Sequence, residues 1–321
     1  MRSLYVTIIA VMTLAGTAFA VNFDPKEVYQ ESSKSVVLVI ASDLGIEHKS
    51  LGTGSIIRPD GLIITNTHVI YSDEVNRPYN QISVFLKPGH LTGNLKKDTS
   101  IRYNAVLINY SLPLDLAVLK IRQASTPVSF PFLLFSDPDL VEIGEPVLAI
   151  GHPEQGGLWT LTTGTISSQA DNFQNISGKS VFQTETSINK GNSGGPLLDK
   201  NGYIVGINSN ISRKSEDGTA ITGINFSIKS SVAVDWLNSI GYTYDFANTG
   251  KAVRTEEQKA TIVPKPVPPL PQPQMKPPVE DKPVIVSEPR PYKEEDLFKQ
   301  TENEMENMMQ DMKGKLRQKP R

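Results

Sequence analysis

Residues 189–197 read Asn-Lys-Gly-Asn-Ser-Gly-Gly-Pro-Leu. Ser193 is surrounded by Gly191, Gly194 and Gly195, which predicts a tight loop where a side chain is exposed and two backbone amides converge. Acyl transfer requires such a loop, because a hydroxyl nucleophile needs N–H donors aimed at the developing oxyanion. The same run is also typical of a plain turn. The loop therefore indicates a nucleophile only if a base and a carboxylate occur elsewhere in the chain.

The candidate base is His68. Residues 62–70, Leu-Ile-Ile-Thr-Asn-Thr-His-Val-Ile, predict a β-branched strand that runs into a short polar segment carrying this histidine. The chain has four histidines, and the other three lie in polar or turn-rich stretches: His48, His90 and His152. The alternative interpretation is a histidine whose hydrogen bonds are satisfied at a strand end without any catalytic role.

The candidate carboxylate is Asp115. Residues 114–121, Leu-Asp-Leu-Ala-Val-Leu-Lys-Ile, place it at the head of a strongly apolar strand. A carboxylate buried there without a partner costs free energy, and an imidazolium is a suitable partner. The alternative interpretation is an exposed aspartate at the start of a strand.

The order of the three candidates is His68, Asp115, Ser193, with separations of 47 and 78 residues. Subtilisins have the order Asp, His, Ser, and α/β-hydrolases have Ser, acid, His, whereas chymotrypsin-like proteases have His, Asp, Ser. The separations leave room for several short strands between the three segments. Order and local context together favour a Ser-His-Asp triad over three unrelated polar residues.

The distribution of apolar residues predicts an all-β fold. Short runs rich in Val, Ile, Thr, Leu and Phe recur between Gly, Pro, Asn and Asp residues. Helical periodicity is limited to the neighbourhood of residues 230–240 and the C-terminal tail. The predicted strands are 36–40, 54–57, 62–65, 82–86, 105–109, 116–121, 147–150, 163–167, 181–184, 203–207 and 223–228.

Several motifs resemble those of trypsin-like serine proteases of the HtrA/DegP type, over about residues 25–243. The resemblance implies a chymotrypsin-like fold of two antiparallel six-stranded barrels with a short C-terminal helix, and an active site in the cleft between the barrels. Residues 110–114, just before the aspartate, are more apolar than the polar loop usual in this family. The matching segments are 51–57, 65–69, 115–120, 149–153, 183–185, 191–196, 223–228 and 234–237.

The resemblance also implies roles around the triad. The loop formed by Gly191, Asn192 and Ser193 would supply the oxyanion hole. Ser187 would lie at the base of the pocket for the residue before the scissile bond (P1), and because it offers no carboxylate we expect small or medium uncharged P1 residues. The strand at 209–211 is expected to pair with an extended substrate. The other substrate-binding residues would be Asn208, Ser209, Asn210, Ile211, Gly223, Ile224 and Phe226.

The N-terminus predicts a signal peptide over residues 1–20. Arg2 precedes an apolar run over residues 4–14, and Ala18-Phe19-Ala20 has the small-x-small pattern of a cleavage site. The alternative is an uncleaved anchor, although the stretch from Leu4 to Ala20 has only 17 residues, is interrupted by Gly16 and is at the short limit for spanning a bilayer. The chain contains no cysteine, which excludes disulfides and lipoprotein attachment. We therefore expect an exported protein, periplasmic or secreted.

A separate tail is expected after a protease domain spanning residues 21–245. Eleven of the 23 prolines fall between residues 264 and 291, so residues 246–291 predict an extended, disordered linker. The tail is too short and too rich in proline for the PDZ domain that many members of the family carry. Residues 292–321 are charged and Met-rich, and indicate an amphipathic docking or oligomerising helix, with a solvated helix or disordered tail as the alternative. Their apolar positions are Leu297, Phe298, Met305, Met308, Met309, Met312 and Leu316.

Composition restricts the partners of this chain. The net charge of -2 provides no electrostatic footprint for nucleic acid. No motif requires a metal ion or a cofactor, since the aspartates at 60 and 199 resemble β-turns rather than calcium loops. Polypeptide substrates are expected, with a homo-oligomer or a tail-docking protein as a further hypothesis. The predicted function is cleavage of unfolded or extended polypeptide in protein quality control; the alternative is a catalytically silent module that binds peptides or unfolded proteins.

Overall fold

The computed structural model describes residues 23–43, 49–123, 128–154, 156–209, 224–247, 295–299 and 301. The predicted signal peptide, nearly all of the predicted linker and most of the charged tail lie outside these described residues. The described chain forms two barrels of antiparallel strands with a few short helices. The predicted all-β fold with two six-stranded barrels is therefore confirmed.

The first barrel closes in the order β1-β2-β3-β8-β7-β6, with β6 pairing back onto β1. Strands β4 and β5 form a separate two-stranded ribbon. The elements of this half are α1 (Pro25–Ser32), β1 (Val36–Ser42), β2 (Lys49–Arg58), β3 (Leu62–Thr65), α2 (Thr67–Ile70), β4 (Tyr71–Ser72), β5 (Arg77–Pro78), β6 (Gln81–Leu86), α3 (Leu95–Asp98), β7 (Arg102–Ser111) and β8 (Leu116–Ile121).

The second barrel closes because β13 pairs with both β10 and β14, which gives the ring β13-β10-β11-β12-β15-β14. Strands β9 and β16 extend the sheet beside β14 through parallel pairing. The elements are β9 (Phe135–Ser136), β10 (Pro146–Gly151), β11 (Thr160–Ala170), β12 (Val181–Thr184), β13 (Pro196–Leu198), β14 (Ile204–Ser209), β15 (Asn225–Lys229), α4 (Ser230–Ser239) and β16 (Phe246–Ala247). Short 3₁₀ turns occupy Ser33–Ser35, Pro138–Leu140 and Phe173–Asn175.

Strand β1 is buried over its whole length because each of its faces meets a different apolar cluster. Val37 and Val39 point into the cluster within the first barrel. Leu38 and Ile40, on the opposite face, join a large cluster that contains residues of both barrels. Strand β1 thus contributes side chains both to the interior of the first barrel and to the apolar cluster that the two barrels share.

Three predicted strands have the bounds found in the structure, namely β3, β8 and β12, and the helix predicted near 230–240 is α4. Helix α1 was not predicted; the side chain of Asp24 caps it by accepting from the Lys26 amide at 2.9 Å, and Pro25 follows the cap. Phe246 and Ala247, predicted as linker, form β16. Across the described part of the chain, every helix is too short or too polar to cross a membrane.

Candidate active site

The first half of the site lies where two neighbouring strands of the first barrel meet. His68 is in the single-turn helix α2, which follows β3, and Asp115 immediately precedes β8. These strands are antiparallel partners, with Thr65 opposite Ala117. The pairing therefore brings together the end of one strand and the start of the other, although 47 residues separate the histidine from the aspartate.

The carboxylate of Asp115 contacts His68 through three hydrogen bonds. His68 Nδ1 lies 3.0 Å from Oδ1 and 2.9 Å from Oδ2, and the backbone N–H of His68 donates to Oδ1 at 3.1 Å. An ionised carboxylate only accepts, so Nδ1 carries the proton and the other ring nitrogen, Nε2, is the one that can accept in the neutral tautomer. This is the orientation that a general base requires.

The backbone of Asp115 adopts an uncommon conformation, with a φ of 58°. Aspartate tolerates the left-handed region better than most side chains do. The side-chain amide of Asn66 donates to the carbonyl of Asp115 at 2.8 Å, and the hydroxyl of Thr67 contacts the carbonyl oxygens of Ser111 and Leu116 at 3.0 and 2.8 Å. Asn66 and Thr67, which precede His68, thus hold the loop that carries Asp115.

The electrostatic surroundings keep Asp115 ionised. Burial raises the pKa of its carboxyl, but the hydrogen bonds and charge of His68 and the hydroxyl of Ser209 lower it by more, so the pKa lies below its ordinary value. Ser209, at the end of β14, donates to Oδ2 at 2.9 Å. Buried Lys179 lies near enough that the charge of Asp115 raises its pKa, although burial lowers it by more. The carboxylate therefore links the two barrels.

The second half of the site is the loop of Ser193, a residue that is only 4% exposed. The amide of Thr53, on β2, donates to the carbonyl of Ser193 at 2.8 Å. The amide of Gly194 donates to the carbonyl of Asn208 at 2.8 Å, and the amide of Asn208 donates to Gly195 at 2.9 Å. The loop is consequently held between a strand of the first barrel and a strand of the second.

The glycine at position 194 allows this loop to approach the turn that carries His68. Its φ is 83°, and a Cβ placed on it would overlap Thr65 Oγ1 and the carbonyl oxygen of Thr53. The same hypothetical Cβ would lie 2.9 Å from the amide nitrogen of Asn66. The structure therefore places the backbone of the Ser193 loop against the residues that precede His68, and His68 itself is in direct contact with Asp115.

A buried polar network holds the residues before Ser193. The hydroxyl of Thr53 lies 2.7 Å from the carbonyl oxygen of Gly191 and 2.9 Å from His152 Nδ1. A hydroxyl has one proton, and the carbonyl can only accept, so Thr53 donates to Gly191 and His152 Nδ1–H donates to Thr53. Gly191 has a φ of 95°, and a Cβ there would overlap the carbonyl oxygen of His152.

His152 is fully buried and stays neutral. Burial lowers the pKa of its imidazole to about 3. Its ring meets that of Trp159 edge-on, with centroids 4.7 Å apart, and the indole N–H donates to the carbonyl of Val36 at 2.8 Å. Neither Thr53 nor His152 was predicted as a site residue. The only sequence signal for them is their position in two of the family-like motifs.

The predicted substrate-binding residues are partly described. Ser187 is exposed, and its hydroxyl accepts from the Asn189 side chain at 3.1 Å. The Asn208 side chain is buried and donates to the carbonyl of Pro196 at 2.9 Å, while Phe226 packs against the ring of Phe173. Ile224 is half-buried and precedes β15. Asn210, Ile211 and Gly223 lie outside the described residues.

Glu185, the carboxylate nearest in sequence to Ser187, is already used elsewhere. It accepts from the amide of Thr165 at 2.8 Å and from the Thr165 hydroxyl at 2.7 Å. The hydroxyl bond lowers its pKa despite slight burial, so it is ionised and fixed against β11. Within the described residues, no cluster of three or more His, Asp or Glu side chains could hold a metal ion.

Comparison with known proteins finds similarity to peptidases. Residues 52–207 match the family described as trypsin-like peptidase domain. The magnetosome formation protease MamE of Magnetospirillum gryphiswaldense is 36% identical over 200 residues, which is 59% of this chain and 23% of MamE. A probable periplasmic serine endoprotease of Chlamydia pneumoniae, DegP-like, is 37% identical over 183 residues, or 57% of this chain and 32% of that protein.

The solved structure of the HtrA-type protease AlgW with a tripeptide superposes with a TM-score of 0.54 at 29% identity. The match covers 68% of this chain and 63% of the AlgW chain. The chain therefore spans about a quarter to a third of the two curated relatives, and somewhat less than two thirds of the AlgW chain.

Proposed function

We propose that the chain carries a trypsin-like peptidase domain of the HtrA type and that it is a serine endopeptidase acting through His68, Asp115 and Ser193. The observation that carries the proposal is the contact of both Asp115 carboxylate oxygens with His68 Nδ1, at 3.0 and 2.9 Å. That contact fixes the imidazole tautomer that accepts a proton through Nε2.

The proposed chemistry is acyl transfer. His68 Nε2 takes the proton from the Ser193 hydroxyl as Oγ attacks the scissile carbonyl, and then returns it to the leaving amine. Asp115 stabilises the imidazolium that forms, which agrees with its lowered pKa. Water then attacks the acyl-enzyme through the same base and releases the acid product.

The oxyanion that forms in each step is assigned to the loop 191–193. The amides of Gly191 and Ser193 are the proposed donors, with Asn192 as the residue that links them, and each donor is worth about 3 kcal/mol of barrier. Thr53 supports the assignment because it binds the carbonyl oxygens on both sides of Asn192, at Gly191 through its hydroxyl and at Ser193 through its amide.

The proposed substrate is an unfolded or extended polypeptide with a small or medium uncharged P1 residue. The main chain of Ser209, Asn210 and Ile211 would pair with the substrate backbone, since the side chain of Ser209 is occupied by Asp115. Ser187 and the walls at Asn208, Gly223, Ile224 and Phe226 would define the P1 pocket. The two hydrogen bonds of Glu185 Oε1 with Thr165 support an uncharged preference, because they hold that carboxylate against β11.

The proposed location is outside the cytoplasm, after export, and the proposed role there is protein quality control. A signal peptide at residues 1–20 would direct the chain to the periplasm or beyond it, and one of its relatives is named as a periplasmic endoprotease. Mass spectrometry of the protein from exporting cells tests this: a mature N-terminus at Val21 is expected, and a retained Met1 in the membrane fraction would favour the anchor.

Active-site labelling tests the nucleophile. A fluorophosphonate is expected to label the full chain, and Ser193→Ala is expected to abolish labelling. Ser167→Ala, which changes an exposed serine on β11, is the matched control and is expected to label normally. A wild-type chain that does not label but retains unfolded protein would support the catalytically silent module instead. A peptide-library digest with a clear preference for Arg or Lys at P1 would contradict the pocket assignment.

A further inference from the structure

A short segment of the charged tail packs on the peptidase domain; we call its described residues, 295–299 and 301, the tail anchor. Residues 295–299 are helical, and Thr301 Oγ1 contacts the carbonyl oxygen of Leu297 at 2.9 Å, which is helical spacing. The Leu297 side chain is 1% exposed and Thr301 is 4% exposed. An isolated solvated helix of this length would bury neither residue.

The anchor lies beside the start of β2 and joins an apolar cluster that also contains a residue of the first helix. Leu297 belongs to the same apolar cluster as Val28 of α1 and Leu51 of β2, and Phe298 packs against that cluster. The ammonium group of Lys49, the first residue of β2, lies 5.5 Å from the centre of the Phe298 ring. An apolar contact and a cation–π contact thus fix two consecutive side chains of the tail.

Strand β2 continues from this surface directly to the candidate active site. The Leu51 side chain lies 3.2 Å from the position that a Cβ of Gly191 would occupy. Two residues further on, Thr53 binds the carbonyl oxygens of Gly191 and Ser193. The strand that receives the tail anchor is therefore the strand that holds the loop of the candidate nucleophile.

We propose that the tail anchor is an intramolecular ligand of the peptidase domain, which it binds through Leu297 and Phe298 at the start of β2, and that its binding stabilises the 191–193 loop. The tether is long enough for docking within one chain: about 47 residues between positions 247 and 295 reach roughly 150 Å when extended. A tether this long does not force the segment onto any one face, so the contacts select the surface. Tethering also raises the local concentration of the segment, so modest contacts suffice.

Hydrogen exchange measured by mass spectrometry on the full chain tests the docking. Leu297→Asp and Phe298→Ala are expected to speed exchange at least tenfold in peptides covering residues 24–32, 49–58 and 295–301. Lys299→Ala, which changes an exposed neighbour on the same helix, is the matched control and is expected to leave exchange unchanged. Unchanged exchange in both anchor variants would overturn the proposal.

Dilution separates docking within one chain from exchange of tails between two copies. Protection of residues 49–58 is expected to be the same at 1 and 20 μM, because an intramolecular contact does not depend on concentration. Protection lost on dilution, together with a fall in mass by light scattering, would overturn docking within one chain and favour a swapped dimer.

The effect on the loop rests on the proposed function. Leu297→Asp is expected to slow fluorophosphonate labelling of the full chain several-fold, while Lys299→Ala labels at the wild-type rate. If the wild-type chain did not label at all, the proposed function would fail while the exchange result stood. If the wild-type chain labelled and Leu297→Asp labelled equally fast, the coupling to the loop would be wrong.

Discussion

His68 and Asp115, in the first barrel, are held by side-chain hydrogen bonds, whereas the Ser193 loop of the second barrel is held through its backbone. Asp115 receives bonds from an imidazole, an amide and a hydroxyl. The loop instead depends on main-chain bonds to β2 and β14 and on a glycine that no other residue could replace without overlap. The base and its partner thus depend on side-chain identity, while the nucleophile depends on backbone shape.

The largest loss of activity is expected when the contact between Asp115 and His68, in the first barrel, is altered. Asp115→Asn keeps the shape of the side chain but favours the wrong imidazole tautomer, so kcat should fall by about 10⁴, or roughly 5.5 kcal/mol. Asp43→Asn is the control: Asp43 is a buried aspartate of the same barrel that accepts from Arg77 and the Asn80 amide. It should reduce thermal stability and leave kcat within about twofold. Equal losses of kcat in the two variants would contradict the role of Asp115.

A change of backbone shape alone should disrupt the Ser193 loop of the second barrel. Gly191→Ala places a methyl group against the carbonyl of His152, displaces a proposed oxyanion donor, and should lower kcat by about 10²–10³. Gly241 has a similar φ of 93° with open space around it. Gly241→Ala should therefore cost about 1 kcal/mol of unfolding free energy and no activity. Steady-state kinetics beside thermal melts of both variants would separate loop shape from general strain.

As the pH falls, the stability contributed by His152, beside the Ser193 loop, should be lost before that contributed by Asp115. The pKa of His152 falls from 6.5 to about 3 on folding, so its contribution to stability is complete above 6.5 and is lost as the pH falls towards 3. That loss reaches about 3 kcal/mol by pH 4. Asp115, whose pKa is lowered from 3.8, loses its contribution only below that value. Urea unfolding between pH 7 and 4 should show the slope, and His152→Asn should flatten it; parallel slopes would contradict the assignment.

The smallest loss of activity is expected at Thr53, the residue of the first barrel that contacts the Ser193 loop of the second. Thr53→Val removes the hydroxyl that joins His152 to Gly191, and should lower kcat about tenfold with little change in KM. Thr53→Ser keeps the hydroxyl and should retain most of the activity. If the valine and serine variants had the same kcat, packing rather than the hydrogen bond would position the loop.

The sequence was sufficient for much of the fold because short β-branched runs between turn residues determine strands locally. Strands β3, β8 and β12 were predicted with their observed bounds for this reason. Strand β13 was missed, since its three residues begin with Pro196 and have no period of their own. Helix α1 was missed because few of its residues are buried, although the capping aspartate and the following proline were visible signals.

The residues of the candidate site likewise fall into two groups, those predictable from local sequence and those joined only by tertiary packing. The positions of the triad residues followed from motifs that are contiguous in the chain. The network of His152, Thr53 and Gly191 did not, because its members are 99 and 138 residues apart and only tertiary packing joins them. The hydrogen bond from the Ser209 hydroxyl to Asp115 was not predicted, because the face on which this side chain lies depends on the register of β14; the pairing of the Ser209 main chain with substrate stays a prediction.

Strand β2 belongs to the first barrel by pairing, yet Thr53 on this strand holds the loop of the second. This has a consequence for recombination between relatives. A chimaera joined between the barrels, near residues 124–127, would inherit Thr53 from one parent and its partners at 152 and 191 from the other. Parents that differ at these three positions should therefore yield hybrids that fold but have reduced activity, and the unit that can be exchanged without loss is the pair of barrels together.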